Sequence, residues 1–176
     1  MSETKNEITP FWRFSLHYYQ QPGVSDACIA LQDGCGVDVN LLLFLVWLAD
    51  NGQSLTPDEV RTLDDKVKSW RELTIMPIRD VRRKLKGAPT LVEPARQETF
   101  RDSVKAVELA AERLQQEALY AFTRSGPLGR RAEPAQAARA NLASLESALG
   151  AAFPKKSVDV LMRAFDGVAH GRFAAA

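Results

Sequence analysis

The most constraining feature of the sequence is an uninterrupted run of nine apolar residues, Leu41 to Ala49. A helix on a protein surface carries an apolar stripe, whereas a helix that is apolar on every side has to be buried. Asp38 precedes the run and is a good N-cap, because its carboxylate accepts hydrogen bonds from free N–H groups of the first turn. Gly52 follows the run and suits the left-handed conformation that closes a helix. We therefore predict a buried central helix over residues 38–51.

The rest of the chain predicts an all-α fold. Apolar residues recur with helical spacing, and no segment shows the period of two that is typical of strands. With 176 residues, 45% of them hydrophobic, the chain can bury a sizeable core. We predict a compact bundle of six or seven helices around the central helix. Residues 1–8 are expected to form a disordered arm and residues 9–124 a helical core domain. Residues 125–133 form a linker, and residues 134–176 form C-terminal helices that are docked or partly mobile.

Local signals place several helix ends. Pro10 follows a capping threonine, and Thr56 with Glu59 forms a capping box in front of a helix that starts at Pro57. Pro77 is expected to break or kink that helix, because proline has no N–H and its ring clashes with the preceding turn.

The longest predicted helix, over residues 94–124, carries an apolar seam. Its members step by four and three: Phe100, Val104, Val107, Ala111, Leu114, Ala118 and Ala121. Such a seam packs within its own bundle or pairs two copies, and the first arrangement is the commoner. The expected state is therefore a monomer, or a homodimer through the 100–121 seam.

Charge and composition exclude several classes of partner. Lys plus Arg is 23 and Asp plus Glu is 22, so the net charge of +1 provides no global attraction to nucleic acid or to an acidic membrane. The polar N-terminus resembles no signal peptide, and the central apolar run is shorter than the roughly 20 residues of a membrane span. We expect a cytoplasmic protein without a membrane segment.

The cysteines predict neither a metal site nor a disulfide. Cys28 and Cys35 have six residues between them, a longer spacing than metal-binding pairs use, and no histidine lies nearby. Free thiols in a reducing compartment are the simpler interpretation. We expect no metal and no cofactor.

The sharpest candidate site is a basic segment near residue 80. One anion, Asp80, stands among five cations: Arg79, Arg82, Arg83, Lys84 and Lys86. On a helix, Arg79, Arg83 and Lys86 share a face, while Ile78, Val81 and Leu85 are expected to point to the core. Like charges at this spacing repel, and an anionic partner would remove that cost. The alternative is a solvated face, paired with the acidic helix start at Asp58, Glu59, Asp64 and Asp65.

Two function hypotheses follow, and neither identifies a ligand. The first is a non-catalytic binding or adaptor protein that holds an anionic protein partner through Arg79, Arg82, Arg83 and Lys86, with Trp70 beside them. The second is an enzyme or small-molecule binder for an anionic substrate, such as a phosphorylated one, in a pocket between helices. That pocket would add His17, Asp33, Asp38 and Asn40. Nucleic acid is the least favoured partner, because no aromatic residues are interleaved with the cations.

Several short motifs resemble a known family as a set. They are Phe11-Trp12-Arg13-Phe14-Ser15, Leu31-Gln32-Asp33, residues 38–43, Trp70-Arg71 and the segment from Pro77 to Lys86. Together they are similar to a family of small uncharacterised proteobacterial proteins of unknown function, over roughly residues 9–122. The resemblance implies a bacterial cytosolic helical protein, and it implies no activity and no catalytic residue.

Overall fold

The computed structural model describes residues 8–170, with side chains to residue 168, and the prediction of an all-α bundle is confirmed. Within that range the α-helices are α1 (Pro10–Tyr19), α2 (Val24–Cys35), α3 (Val39–Asp50), α4 (Pro57–Trp70), α5 (Met76–Leu85), α6 (Pro94–Ala121), α7 (Pro134–Leu149) and α8 (Lys155–His170). The arm predicted for the first residues and the end of the chain fall largely outside the described range.

The predicted central helix is α3. Asp38 caps it, accepting from the backbone N–H groups of Asn40 and Leu41 at 2.9 and 3.3 Å. Every residue from Asn40 to Ala49 is buried except the half-buried Trp47. Burial on all sides is the expected outcome for a helix without a polar face.

Helices from both ends of the chain enclose α3. Phe11 of α1 packs edge-on against Phe44, with ring centroids 5.1 Å apart. The residues after 133 contribute Leu142 and Leu145 from α7, and Leu161 and Phe165 from α8, to the same apolar core. The buried Tyr18 hydroxyl donates to the carbonyl of Leu161 at 2.7 Å, which ties α1 to α8.

A two-residue ladder connects the middle of the chain to the segment before α7. β1 (Gln53–Ser54) pairs antiparallel with β2 (Arg130–Arg131), with Gln53 opposite Arg131 and Ser54 opposite Arg130. Gly129 precedes β2 with φ +67°, and a Cβ at this position would lie 2.3 Å from the carbonyl oxygen of Ser54. Only glycine therefore fits this close approach.

The interruption expected at Pro77 is a π turn, not the end of a helix. Residues Arg71–Ile75 form this turn, in which the Met76 N–H donates to the carbonyl of Arg71, and α4 continues through it into α5. Pro77 has no N–H to donate, and its ring would clash with the preceding turn of a regular α-helix. The wider π turn accommodates both the missing hydrogen bond and the ring.

The predicted orientation of α5 and of the seam on α6 is wrong in part. Val81 is exposed, Ile78 and Leu85 are only half-buried, and α5 has no fully buried residue. On α6, Ala111 is buried and Val104 half-buried, but Phe100, Val107 and Leu114 face solvent. The inner face of α6 is mostly polar instead, with buried Gln97, Glu108, Ala111, Gln115, Gln116 and Leu119.

In the part of the chain that the structure describes, no helix combines the length and the apolar character that a membrane crossing requires.

The Asn141 side chain is expected to hold α7 in place. It accepts from the Leu55 N–H at 2.7 Å and donates to the carbonyls of Leu45 and Gln53 at 2.9 and 3.0 Å. Asn141→Ala should lower the free energy of unfolding by about 3 kcal/mol, because it leaves buried backbone groups unpaired. Urea unfolding followed by circular dichroism measures this. Asn51→Ala, which removes an exposed amide, is the control and should change stability by less than about 0.5 kcal/mol.

Candidate functional site

An open groove of about 740 Å³ lies between α1, α2, α5 and α6. This volume is in the range of small-molecule sites. Three half-exposed apolar side chains from three different helices line it: Leu16, Ile29 and Leu109, with exposed fractions of 42%, 45% and 51%. Trp12, Tyr19, Val39 and Leu43 complete its apolar wall. The groove is therefore a concave surface on which apolar side chains converge without being covered.

Arginines of α5 and glutamates of α6 form the opposite wall. Arg79 donates to Glu108 at 2.8 Å, to Glu112 at 2.6 Å and to Gln32 of α2 at 2.6 Å. Arg82 also donates to Glu108, through both Nε and Nη2. The Glu108 side chain is almost fully buried, so one carboxylate holds two guanidinium groups in place. We call Arg79, Arg82, Glu108 and Glu112 the arginine–glutamate network.

The two carboxyl groups of this network have pKa values shifted in opposite directions. Burial works to raise the pKa of Glu108, but hydrogen bonds from Arg82 and Arg79 outweigh it and hold the pKa below its ordinary value. Burial raises the pKa of Glu112 above its ordinary value, although Arg79 opposes the shift. Glu108 is therefore the firmly ionised member, and Glu112 is the member that protonates more readily.

The rim of the groove carries more accessible charges. Arg83 is half-exposed and donates to the exposed Asp33 of α2 at 3.0 Å. Lys105 and Asp102 of α6 also line the groove and are exposed. Lys86 is exposed as well, but it is not among the residues that line the groove. The five-cation segment thus divides into half-buried arginines, Arg79 and Arg82, that hold α5 against α6, and more exposed cations that face solvent.

The acidic partners of the arginines differ from the sequence prediction. Asp58 pairs with Arg61 on its own helix, and Asp64 pairs with Arg71. The acids that neutralise Arg79 and Arg82 come from α6 instead. The predicted pairing of the basic segment with the start of α4 is therefore wrong.

Asp38 belongs to a second polar cluster. Arg71 donates to Asp38 at 2.8 Å and to Asp64 at 2.6 Å, and Gln115 donates to the same carboxylate of Asp38. Burial acts to lower the pKa of Arg71, but the hydrogen bonds that Arg71 donates to both aspartates, together with their negative charges, raise it above its ordinary value. A small cavity of about 130 Å³ lies here, with Asp38, Arg71 and Arg79 among its lining residues. This cluster fixes the junction of α4 and α5 against the start of α3.

Asn40 does reach the groove, in a chain of buried amides. The side-chain amide of Gln116 donates to the side-chain oxygen Oδ1 of Asn40 at 2.9 Å and accepts from the Ser15 hydroxyl at 2.8 Å. The chain links α1, α3 and α6, so these polar groups are satisfied in the floor of the groove.

The remaining predicted site residues lie apart from the groove. Trp70 is half-exposed and donates from Nε1 to the carbonyl of Ala111 at 3.0 Å, which makes it a packing residue between α4 and α6. His17 is exposed on α1 and contacts Gln21. The structure therefore brings Arg79, Arg82, Arg83 and Asn40 together along one groove, while Asp33 pairs with Arg83 at its edge.

The cysteines are free thiols. Cys28 is buried, and burial raises the pKa of its thiol to about 12, which makes it unreactive. Across residues 8–170, no three His, Cys, Asp or Glu side chains are grouped so that they could hold a metal ion.

Sequence reasoning missed Glu108 and Glu112 as members of the site, and Arg71 as a member of the second cluster. Glu108 and Glu112 are four residues apart, so they lie on one side of α6. Arg79 and Arg82 are three residues apart and lie on one side of α5, but the sequence alone does not place α5 against α6.

Fold and site together define a helical-bundle protein with an amphipathic groove walled by an arginine–glutamate network. A family model described as "Protein of unknown function (DUF2390)" matches residues 10–119, which is more than half of the chain, and the chain belongs to this family. The expected resemblance to a family of unknown function is confirmed, and the matched range includes every residue that lines the groove. No curated protein and no solved structure matches the chain.

The network makes a testable prediction about acid stability. Arg79 and Arg82 donate to both carboxylate oxygens of Glu108, whereas the side chain of Glu108→Gln has only one acceptor oxygen. Its NH2 group, a donor, would face a guanidinium group, which is also a donor. We expect a loss of about 2 kcal/mol at pH 7, less than the roughly 3–5 kcal/mol of a fully buried pair because both guanidiniums are partly solvated.

The pH dependence has a definite sign. Since the folded pKa of Glu108 is depressed, its contribution to stability is present above the unfolded pKa and is lost as pH falls through the folded pKa. The Glu108→Gln protein should therefore lose less stability than the natural protein on acidification below pH 4.5. Glu112→Gln is the control. Its folded pKa is raised, so it removes a group whose ionisation costs stability at neutral pH, and the effect at pH 7 should be smaller. Equal losses from both variants would contradict this assignment.

Proposed function

We propose that this protein is a non-catalytic binding protein whose groove takes an anionic amphiphile, a small molecule with an acidic head and an apolar body. One observation carries the proposal: exposed apolar side chains from α1, α2 and α6 meet in a single groove whose rim bears cations. The bacterial cytoplasm is the compartment we propose, and the unpaired thiols of Cys28 and Cys35 support it.

The apolar wall supplies part of the binding free energy. Covering a half-exposed Leu16, Ile29 or Leu109 is worth about 1 kcal/mol each, so the three together contribute about 3 kcal/mol. Association costs at least about 4 kcal/mol in lost translational and rotational freedom. An apolar ligand alone would therefore bind weakly, and the rim charges have to contribute.

The rim cations suit an acidic head group. Lys105 stands one turn before Leu109 on α6, and Arg83 stands next to Arg82 on α5. The guanidinium of Arg83 is paired only with an exposed aspartate, and such exposed pairs contribute at most about 1 kcal/mol. A carboxylate or phosphate of a ligand can replace Asp33 at little cost, whereas Arg79 is committed to the arginine–glutamate network.

These features favour a small ligand over an acidic protein partner on a flat basic face. Of the predicted basic face, Arg79 and Arg82 are already paired with Glu108 and Glu112. What remains is a concave site with an apolar wall, and concave apolar sites with a few polar groups are typical of small-molecule binding.

One observation supports the alternative that the protein is an enzyme: Glu108 and Glu112 line the same groove, and their pKa values are shifted in opposite directions. Such divergence is typical of acid and base pairs. We favour binding, because Glu108 is saturated by two arginines and has no free role as a base.

Isothermal titration calorimetry with dodecyl phosphate, below its micellar concentration, tests the proposal. We expect micromolar binding, with no measurable heat from inorganic phosphate or from a dodecyl trimethylammonium salt. Arg83→Glu and Lys105→Glu should each weaken binding about tenfold, which corresponds to about 1.4 kcal/mol. Leu16→Asp should weaken it at least as much, because it places a like charge on the apolar wall.

Lys84→Glu is the matched control on α5. Lys84 is exposed, pairs with Asp80 on the same helix and does not line the groove, so binding should be unchanged. Binding that falls equally in Lys84→Glu would indicate a non-specific charge effect. Absence of binding by dodecyl phosphate, or equal binding of the cationic amphiphile, would reject the proposal.

A further inference from the structure

The α6 helix has a second unexplained surface on its outer side. Phe100, Val107 and Leu114 are exposed by 57%, 56% and 53%, and they are seven residues apart. At this spacing they form one line along a helix of 28 residues, about 42 Å long at 1.5 Å per residue. This line, which we call the outer stripe, is separate from the groove and contributes nothing to the core.

The exposure of the outer stripe is not a by-product of how α6 packs in its own bundle. The adjacent face of the helix, about a quarter turn from the stripe, buries Gln97, Glu108, Gln115 and Gln116 against the other helices. The helix therefore turns polar residues inward and large apolar residues outward. A regular apolar stripe at a seven-residue repeat is the pattern by which helices pair with one another.

We propose that the outer stripe is the interface between two copies of this chain, with their α6 helices antiparallel about a two-fold axis at Val107. Phe100 and Leu114 each lie seven residues from Val107, so an antiparallel partner sets Phe100 of one copy against Leu114 of the other. The two Val107 side chains meet on the axis. Isologous contacts of this kind close a dimer and leave no open stripe.

Charge complementarity supports a second copy in this orientation. Arg96 lies eleven residues before Val107 and Glu117 ten residues after it, and both stand beside the stripe. Glu117 also accepts from Arg113 of its own helix at 2.9 Å, but it stays 37% exposed and such a pair contributes only a few tenths of a kcal/mol, so a partner's arginine can share the carboxylate. The antiparallel pairing brings Arg96 of each copy next to Glu117 of the other. A parallel pairing would instead set Arg96 against Arg96 and Glu117 against Glu117, and like charges across a helix pair repel.

The end of α4 extends the apolar surface beside the stripe. Trp70 is 36% exposed and lies against α6, because its Nε1 donates to the carbonyl of Ala111 at 3.0 Å. Small residues, Ser103 and Ala110, stand three residues after Phe100 and Val107 and allow a second helix to approach. The patch is therefore broader than one row of side chains.

Sedimentation velocity of the full chain over a range of concentrations is the first test. We expect a dimer at micromolar concentration. Val107→Glu should raise the dissociation constant at least about 100-fold, because it places two like charges on the axis. Leu109→Glu is the matched control: it is on the same helix and about equally exposed, but it lines the groove, so the dimer should persist. Circular dichroism checks that both variants stay folded. If Val107→Glu does not fold, Val107→Ser replaces it in the test.

The orientation has its own test in a Cys35→Ser background. Val107→Cys should form an intermolecular disulfide with itself. Phe100→Cys alone should not, whereas a mixture of Phe100→Cys and Leu114→Cys should give a mixed disulfide. Charge reversal adds a further check, since Arg96→Glu should weaken the dimer and Arg96→Glu with Glu117→Arg should restore it.

A monomer at all concentrations would overturn the inference, and so would a dimer that Val107→Glu leaves intact. Self-crosslinking of Phe100→Cys would overturn the antiparallel arrangement. None of these results depends on ligand binding in the groove, because Val107 and Leu109 lie on different sides of α6.

Discussion

The absence of any polar side on the middle of α3 is the constraint on which this bundle depends. A helix with Leu, Phe and Val around its whole circumference is stable only when neighbours cover every side. Coverage comes from α1 before it in sequence and from α6 and α7 after it. Asn141 pairs polar backbone groups beside this helix: it donates to the carbonyl of Leu45 and accepts from the N–H of Leu55. The position of the other helices follows from this requirement.

The neighbours of α3 attach in two physically different ways. Helices α7 and α8 contribute Leu142, Leu145 and Phe165 to the continuous apolar core. The α6 helix uses amides and charges for much of its contact instead, through Gln116 to Asn40 and through Glu108 to the arginines of α5. Directional contacts of this second kind specify position and are costly to leave unmade, but each adds little net free energy. They fix where α6 lies and leave its apolar residues free for other surfaces.

The helices could be predicted because they depend on neighbouring residues in the sequence. The site could be predicted only in part, because it depends on contacts between residues far apart in the sequence. The N-caps at Asp38 and Thr56 and the burial of α3 depend on neighbouring residues, so sequence reasoning placed them correctly. The seam on α6 was assigned to the core because an amphipathic pattern shows which face is apolar and not what covers it. Arg79 and Arg82 were recognised as candidates, but Glu108 was not, since 26 residues and a loop separate it from Arg82. The π turn escaped prediction for a similar reason, because Pro77 shows only that a regular α-helix is interrupted.

The arginine–glutamate network also determines the shape of the groove it borders. The wall formed by α5 and α6 is attached through the carboxylate of Glu108, and few apolar contacts of α5 oppose its displacement. Charge-assisted hydrogen bonds fix both the distance and the orientation of the groups they join, whereas apolar packing fixes mainly how closely two surfaces approach. The width of the groove is therefore set by the contacts of Arg79 and Arg82 with Glu108, while the position of α3 is set by the apolar core. The groove and the core of this bundle thus depend on different kinds of interaction.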